Sequence, residues 1–347
     1  MCPYFNGKKG EFLFWWTFAL ILIVIGIGLY FDINQAQSVK RSGPIEKITI
    51  AGGPTLSSAP LYVALDKGYF KREGLDVSYQ PFPSGHIAVG AVKEGKVDFG
   101  LATEAPIMAE GMEGTRIWII ATISEAHKVV ALVGRKDKGI STPNDLKGKR
   151  IGVVKGSNGE FFLDIFLTFN KISKKEVRPI PMVPDKAYDI LIKGEVDAVV
   201  TWDFYKQRLQ KELGTNGVVF YGRDIYRMTW NLMAMQDYVK RNPEVVKKVL
   251  RALIRGVASI RGESLEARKI TANYFKMDEA VLNEIWDASD LSFGVTLSPT
   301  LLISMEDQAR WAIRNKLTKR KTVPNFLNFI YFEGLEAVQS DAVTIIH

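Results

Sequence analysis

The residues best suited to chemistry are small donors that follow apolar strands. Ser57 and Ser58 precede Pro60 in GGPTLSSAP, Ser84 precedes Gly85, and Gly156, Ser157 and Asn158 sit in KGSNGE. Each stretch reads as a loop that ends a strand and starts a helix. The first turn of a helix leaves N–H groups free and carries the positive end of the dipole, so each start can hold an anion, with serine hydroxyls as added donors. The same serines can instead cap their helices with no ligand. Two carboxylates, Glu104 and Asp203, follow two further strands, and Trp202 stands before the second. Tryptophan there walls a pocket, stacks on a flat ligand, or plugs the gap between lobes. Asp203 and Glu104 each accept from a ligand or cap the helix that follows. If both face one cleft, a bare anion is disfavoured and a zwitterion or neutral heterocycle fits better. Tyr62, near a helix start, is a pocket wall, a hydrogen-bond donor or core.

The elements that must position these residues occur twice. In 93–104, KEGKVDFGLATE, a helix tail ends at Gly95, a Val97-Asp98 pair opens an apolar strand, and the strand runs out at Glu104. In 192–203, IKGEVDAVVTWD, Gly194, Val196-Asp197 and Asp203 repeat the order. Glycine stops such helices because it takes the left-handed conformation freely. Two copies imply two similar α/β halves, with ligand at the carboxyl ends of the strands. Asp98 and Asp197 are expected to fix the turn.

Strands are expected at 47–51, 75–80, 97–102, 117–122 and 129–133, then at 150–154, 218–221 and 230–234. Short helices between them indicate a largely parallel sheet. From Pro243 onward the pattern is almost all helix, with apolar spacing at a 3.6-residue period over 243–260. The run 314–321, RNKLTKRK, is basic and reads as a solvated face or as a contact for anionic headgroups or a partner.

At 347 residues the chain is long enough to hold two domains, each with its own core. Net charge is +8, and no basic run interleaves with aromatics, so no nucleic-acid partner is expected. One cysteine, Cys2, rules out an intrachain disulfide, and the three histidines (His86, His127, His347) show no ligand spacing. No cofactor and no metal are expected. GxSxG, P-loop and GxGxxG motifs are missing, which favours binding over catalysis. Residues 12–31, FLFWWTFALILIVIGIGLYF, carry no charge. Twenty helical residues span roughly 30 Å, enough for a bilayer. With Lys8 and Lys9 before it, the rest of the chain is placed outside the cytoplasm. The segment is an uncleaved anchor or a signal cleaved near Ala36-Gln37-Ser38.

Four stretches, PLYVALDKGYFKREGLDV (60–77), AVGAVKEGKVDFGLATEAP (88–106), DLKGKRIGVVKGSNGEFF (145–162) and GEVDAVVTWDFY (194–205), come in an order and spacing that resembles the substrate-binding proteins of bacterial ABC importers for nitrate, aliphatic sulfonates, taurine and thiamine pyrimidine precursors. The stretch 241–260 is similar to the family's helix after its return crossing. The resemblance implies an α/β, two-lobed, type II periplasmic-binding-protein fold with the ligand cleft between lobes, preceded by the N-terminal transmembrane or signal helix. Residues 1–44 are then signal or anchor and linker, 45–132 plus 232–347 form lobe 1, and 133–231 form lobe 2. Hinge crossings are expected near 129–135 and 231–236. The implied function is an extracytoplasmic receptor, not an enzyme, that delivers a small molecule to an ABC permease and its ATPase. An anchored sensing module and a pyrimidine-synthase-like enzyme are the alternatives. The family's sites fall here on Ser57, Ser58, Glu104, Gly156, Ser157, Trp202 and Asp203. Sulfonate and nitrate binders often carry a small residue near the position of Glu104, so its carboxylate argues against a simple oxyanion.

Overall fold

The computed structural model describes residues 44–222 and 225–347. The apolar segment 12–31 lies outside the described residues. No helix among the described residues is long and apolar enough to cross a membrane.

Residues 45–347 form one compact unit built on two sheets. The first half contributes β1 (Glu46–Gly52), β2 (Leu75–Pro81), β3 (Phe99–Thr103) and β4 (Ile117–Ala126). The second contributes β5 (Ala131–Arg135), β6 (Arg150–Val153), β7 (Arg178–Pro181), β8 (Ala198–Thr201) and β9 (Gly217–Tyr221). The chain then returns in β10 (Met228–Met235) and adds β11 (Leu291–Thr296) at the edge of the first sheet. The sheet orders are β11-β4-β10-β3-β1-β2 and β7-β6-β8-β5-β9. In each, three parallel strands (β2-β1-β3; β7-β6-β8) meet an antiparallel strand that arrives from the other half. β10 lies between β3 and β4, and β5 lies between β8 and β9.

The chain therefore passes between sheets at 127–130 and 222–227, upstream of the expected 129–135 and 231–236. Those expected residues lie largely inside β5 and β10. An inserted strand covered on both faces reads as a continuous apolar run, so a crossing and a strand look alike in sequence. β10 is buried in this way over its first seven residues, apolar but for Thr229 and Asn231.

The echoed motif has a structural counterpart. Gly95 and Gly194 both take positive φ, 69° and 74°, as the helix stop requires. Asp98 accepts from Thr49 N at 2.7 Å and Thr49 Oγ1 at 2.8 Å, which pins β3 to β1. Asp197 accepts from Arg150 N at 2.9 Å and pairs with its guanidinium at 2.8 Å, which pins β8 to β6. Both aspartates thus hold the entry of the neighbouring parallel strand in register.

Helix Pro243–Gly262 buries Val245, Val246, Val249, Leu250, Leu253 and Val257 in one stripe. It crosses helix Ala59–Asp66 so closely that a Cβ on Gly256 would stand 2.4 Å from Pro60 O. After Pro243 the structure departs from the all-helical expectation at β11. Only Phe293 and Val295 alternate inward there, with Gly294 between them, too short a signal to stand out among helices.

Replacing Asp98 by alanine strands the Thr49 N–H at a sheet interior. We expect a loss of about 1–3 kcal/mol in urea unfolding, against under about 0.5 kcal/mol for the exposed Asp76→Ala.

Candidate functional site

The carboxyl ends of β1–β3 and of β6–β8 carry the loops singled out above. Ser57 and Ser58 lie in a single 3-10 turn, Leu56–Ser58, and both are fully buried. Ser57 O accepts from Ser124 Oγ at 3.1 Å, and Ser58 Oγ accepts from Trp230 Nε1 at 2.9 Å. Ser57 Oγ has no protein partner. Tyr62 is buried, stacks on Tyr274 at 4.7 Å, and places its hydroxyl 3.3 Å from Tyr79 Oη. Burial pushes the Tyr62 phenol well up, so it stays protonated. Its contacts are those of a core residue. Ser84 caps helix Gly85–Lys93 by accepting from Ile87 N at 3.4 Å.

Glu104 opens helix Glu104–Met112 and is fully buried. Its Oε1 accepts from Tyr226 Oη at 2.5 Å and Gln308 Nε2 at 2.6 Å. Its Oε2 accepts from Thr229 N at 3.0 Å and Thr229 Oγ1 at 2.9 Å. An ionised carboxylate has about four lone-pair sites, and protein donors take them all. Glu104 is therefore not open to a ligand in this arrangement, contrary to the expectation. A carboxylate this deep survives only with its lone pairs satisfied. Burial and the adjacent Glu104 push the Tyr226 hydroxyl well up, which keeps it a donor. The chain of bonds continues from Thr229 Oγ1 to Asn231 Nδ2 (2.9 Å) and from Asn231 Oδ1 to Thr122 Oγ1 (2.7 Å).

In the second half Gly156 takes φ 68°, and Ser157 caps helix Asn158–Phe169. Ser157 Oγ accepts from Gly159 N at 3.1 Å and donates to Val154 O at 2.7 Å. Asn158 is buried; its Oδ1 accepts from Trp202 Nε1 at 3.2 Å, and its Nδ2 has no partner. Trp202 is half-buried and lies over Gly159, where a Cβ would come within 3.1 Å of Cζ2. Asp203 opens helix Asp203–Leu213 and is buried. Its Oδ1 accepts from Ser289 Oγ at 3.0 Å and lies 3.4 Å from Lys206 Nζ, while its Oδ2 is unpartnered. Lys206 Nζ also donates to Lys128 O, in the first crossing. Burial pushes the Asp203 carboxyl up to about 6, against the opposing pull of Lys206 and Ser289. Burial likewise pulls the Lys206 ammonium down.

Five buried atoms in these loops and the helix against them have no protein partner: Ser57 Oγ, Asn158 Nδ2, Thr201 Oγ1, Asp203 Oδ2 and Gln308 Oε1. Buried polar groups are ordinarily bonded, so such a concentration marks places where a guest or water completes the count. Hydroxyls and an amide supply donors, and the carboxylate and the glutamine carbonyl supply acceptors. Sequence reasoning missed Thr201, Tyr226, Thr229 and Gln308. Gln308 carried one signal, a polar residue within the buried stripe Leu301, Met305, Ala309 and Ala312. Among the described residues no group of three His, Cys, Asp or Glu is placed to hold a metal ion.

Residues 55–267 match the family model described as NMT1/THI5 like. A Brucella abortus protein named as a binding protein is 27% identical over 63% of this chain and 68% of its own length. A Bacillus subtilis protein named for binding aliphatic sulfonates is 24% identical over 87% of this chain and 90% of its own. A 4-amino-5-hydroxymethyl-2-methylpyrimidine phosphate synthase of Saccharomyces cerevisiae is 24% identical over 62% of this chain and 67% of its own. The crystal structure of the periplasmic aliphatic sulphonate binding protein SsuA from Escherichia coli superposes with a TM-score of 0.72 at 18% identity, covering 82% of this chain and 97% of that one. The architecture is thus the two-lobed α/β fold of periplasmic binding proteins.

The weakened acidity of Asp203 sets a pH dependence. Its folded value, about 6, lies above the ordinary 3.8, so its ionisation opposes folding. That cost is absent below about pH 4, grows as pH rises, and is fully present above about pH 6. In urea unfolding, the stability of the wild type relative to Asp203→Asn should therefore fall between pH 4 and pH 7, by about 3 kcal/mol at most. A flat difference would mean that Asp203 titrates normally.

Proposed function

The chain belongs to the NMT1/THI5-like family, and from that premise we propose that it is the substrate-binding component of an ABC importer. It captures a small sulfonate-, nitrate- or thiamine-precursor-like molecule between its two halves and delivers it to a permease driven by an ATPase. The observation that carries this reading is the set of unpartnered buried atoms on strand-end loops of both sheets. A guest that bonds to both halves holds them together, as binding-protein closure requires. Ser57, Thr201 and Asn158 offer donors to an anionic or carbonyl group, and Asp203 Oδ2 offers an acceptor to an amine. This pairing favours a guest with both kinds of group over a bare oxyanion. Ser58, Ser84, Gly156 and Ser157 shape the loops, Trp202 walls the second half, and Tyr62 braces the first from within the core.

The binding reading is preferred to an enzymatic one because Glu104 is saturated by protein donors, which leaves Asp203 without a second free carboxylate to work with. We assign 45–126 with 228–347 to one lobe and 131–221 to the other, joined by the two crossings. Residues 12–31 place the binding unit on the outer face of the cytoplasmic membrane as an anchor. The anchor also favours a second reading, a sensor that reports occupancy to a partner protein.

Calorimetry on the full-length protein with taurine, short alkanesulfonates, nitrate and pyrimidine precursors tests the proposal. One class should bind, and silence from folded protein overturns it. Ser57→Ala should weaken that binding by up to about tenfold, the worth of one hydrogen bond, with thermal stability unchanged because its hydroxyl serves no protein contact. Trp202→Ala should weaken it by more than about 1 kcal/mol. If Trp202→Ala lowers stability alone, the side chain is a plug between the halves.

A further inference from the structure

A second cavity lies away from the strand-end loops, between helices Asn158–Phe169 and Pro299–Arg314. Its volume is about 630 Å³, within the range of organic-ligand pockets. Its walls are apolar: Phe161 and Ile165 from one half, Ile313 and Val323 from the other, and Ile225 from the return crossing. Its rim carries Asp307, Arg310, Arg314 and Lys321. Arg310 is neutralised by Asp307 at 2.9 Å and Glu306 at 2.6 Å. Among the described residues, no carboxylate lies within ion-pair distance of Arg314 or Lys321. These two are the ends of the basic run 314–321, and Leu317 inside that run is 50% exposed. Unneutralised cations over an apolar chamber are complementary to a molecule that is anionic at one end and apolar along its body.

We propose that this cavity binds an amphiphilic organic anion, with its alkyl or aryl body against Phe161, Ile165 and Ile313 and its anionic head on Arg314 and Lys321. A free organic anion and an anionic lipid share this chemistry. The walls come from both halves, which are already linked beside the cavity by Trp311 Nε1 and Asp164 Oδ2 at 2.6 Å. An occupant here therefore acts on the same closure as a guest at the strand ends, and the two affinities are coupled reciprocally. Ser57, Thr201 and Asp203 do not line this cavity, so the two sites are separable by mutation.

The test is photolabelling of the full-length protein, held in phosphatidylcholine discs, with 4-azidobenzenesulfonate, followed by peptide mapping. Label should fall on peptides holding 161–165 and 313–323. The double change Arg314→Glu with Lys321→Glu touches only exposed side chains and should lower this labelling about tenfold or more, as loss of two charge-assisted contacts does. Ile165→Asp, which charges the wall, should do the same, whereas Ser57→Ala should leave the labelling intact. Displacement by octane-1-sulfonate supports the free anion as the occupant, and displacement by phosphatidylglycerol in the discs supports the lipid. Labelling that survives the charge reversal, that spreads over surface lysines, or that neither competitor displaces overturns the proposal.

Discussion

One buried carboxylate organises the joint between the two halves. Glu104 has left water entirely, and a carboxylate there is stable only if donors replace the lost hydration. Those donors come from three separate parts of the chain: Tyr226 in the return crossing, Thr229 in β10, and Gln308 in helix Pro299–Arg314. Satisfying one side chain therefore fixes where the chain re-enters the first sheet. It also fixes how the carboxyl-terminal helix lies over that sheet. Asn231 and Thr122 extend the same bonds across β10 and β4, which ties the seam to the first sheet.

Asp203 occupies the matching offset in the second half and is treated differently. Only one of its oxygens is bonded, its counter-ion Lys206 is itself buried, and burial makes it a weaker acid. Two carboxylates that look equivalent in sequence thus have different environments, one saturated and one incomplete. The saturated one holds the scaffold. The incomplete one leaves an acceptor that a bound molecule can use, beside Trp202 and Asn158. The hesitation that Glu104 raises over a bare anion passes to Asp203, whose free oxygen faces no protein donor.

Much of the fold was legible because it rests on local signals. Gly95 and Gly194, the Val-Asp pairs and the strand-end acids all recur in space as they do in sequence, because each is set by a helix stop, a turn or a strand entry within a few residues. What was not legible depends on distant partners. The sequence pattern puts the crossings late, since β5 and β10 are buried along most of their length and give little mark of where a sheet begins. β11 was missed because Phe293 and Val295 alone alternate. Tyr226, Thr229 and Gln308 carry no motif, and their role exists only because Glu104 arrives beside them from over a hundred residues away. Tyr62 and Ser84 looked like ligand contacts for the opposite reason, since their local setting is the same whether a helix start faces a guest or its own core.

The exchange of β5 and β10 between the sheets has a consequence for how the molecule is made. Synthesis runs from the amino terminus, and β3 and β4 leave their facing edges open until residue 235 has emerged, because β10 fills the gap between them. The donors for Glu104 complete only with helix Pro299–Arg314. The first half of this design cannot be completed early, whereas the five strands of the second all lie within residues 131–221. The first sheet waits on pairings between distant segments, β10 with β3 and with β4, and such pairings form slowly. That delay in the first half is built into the strand order itself, without any separate device to keep it open.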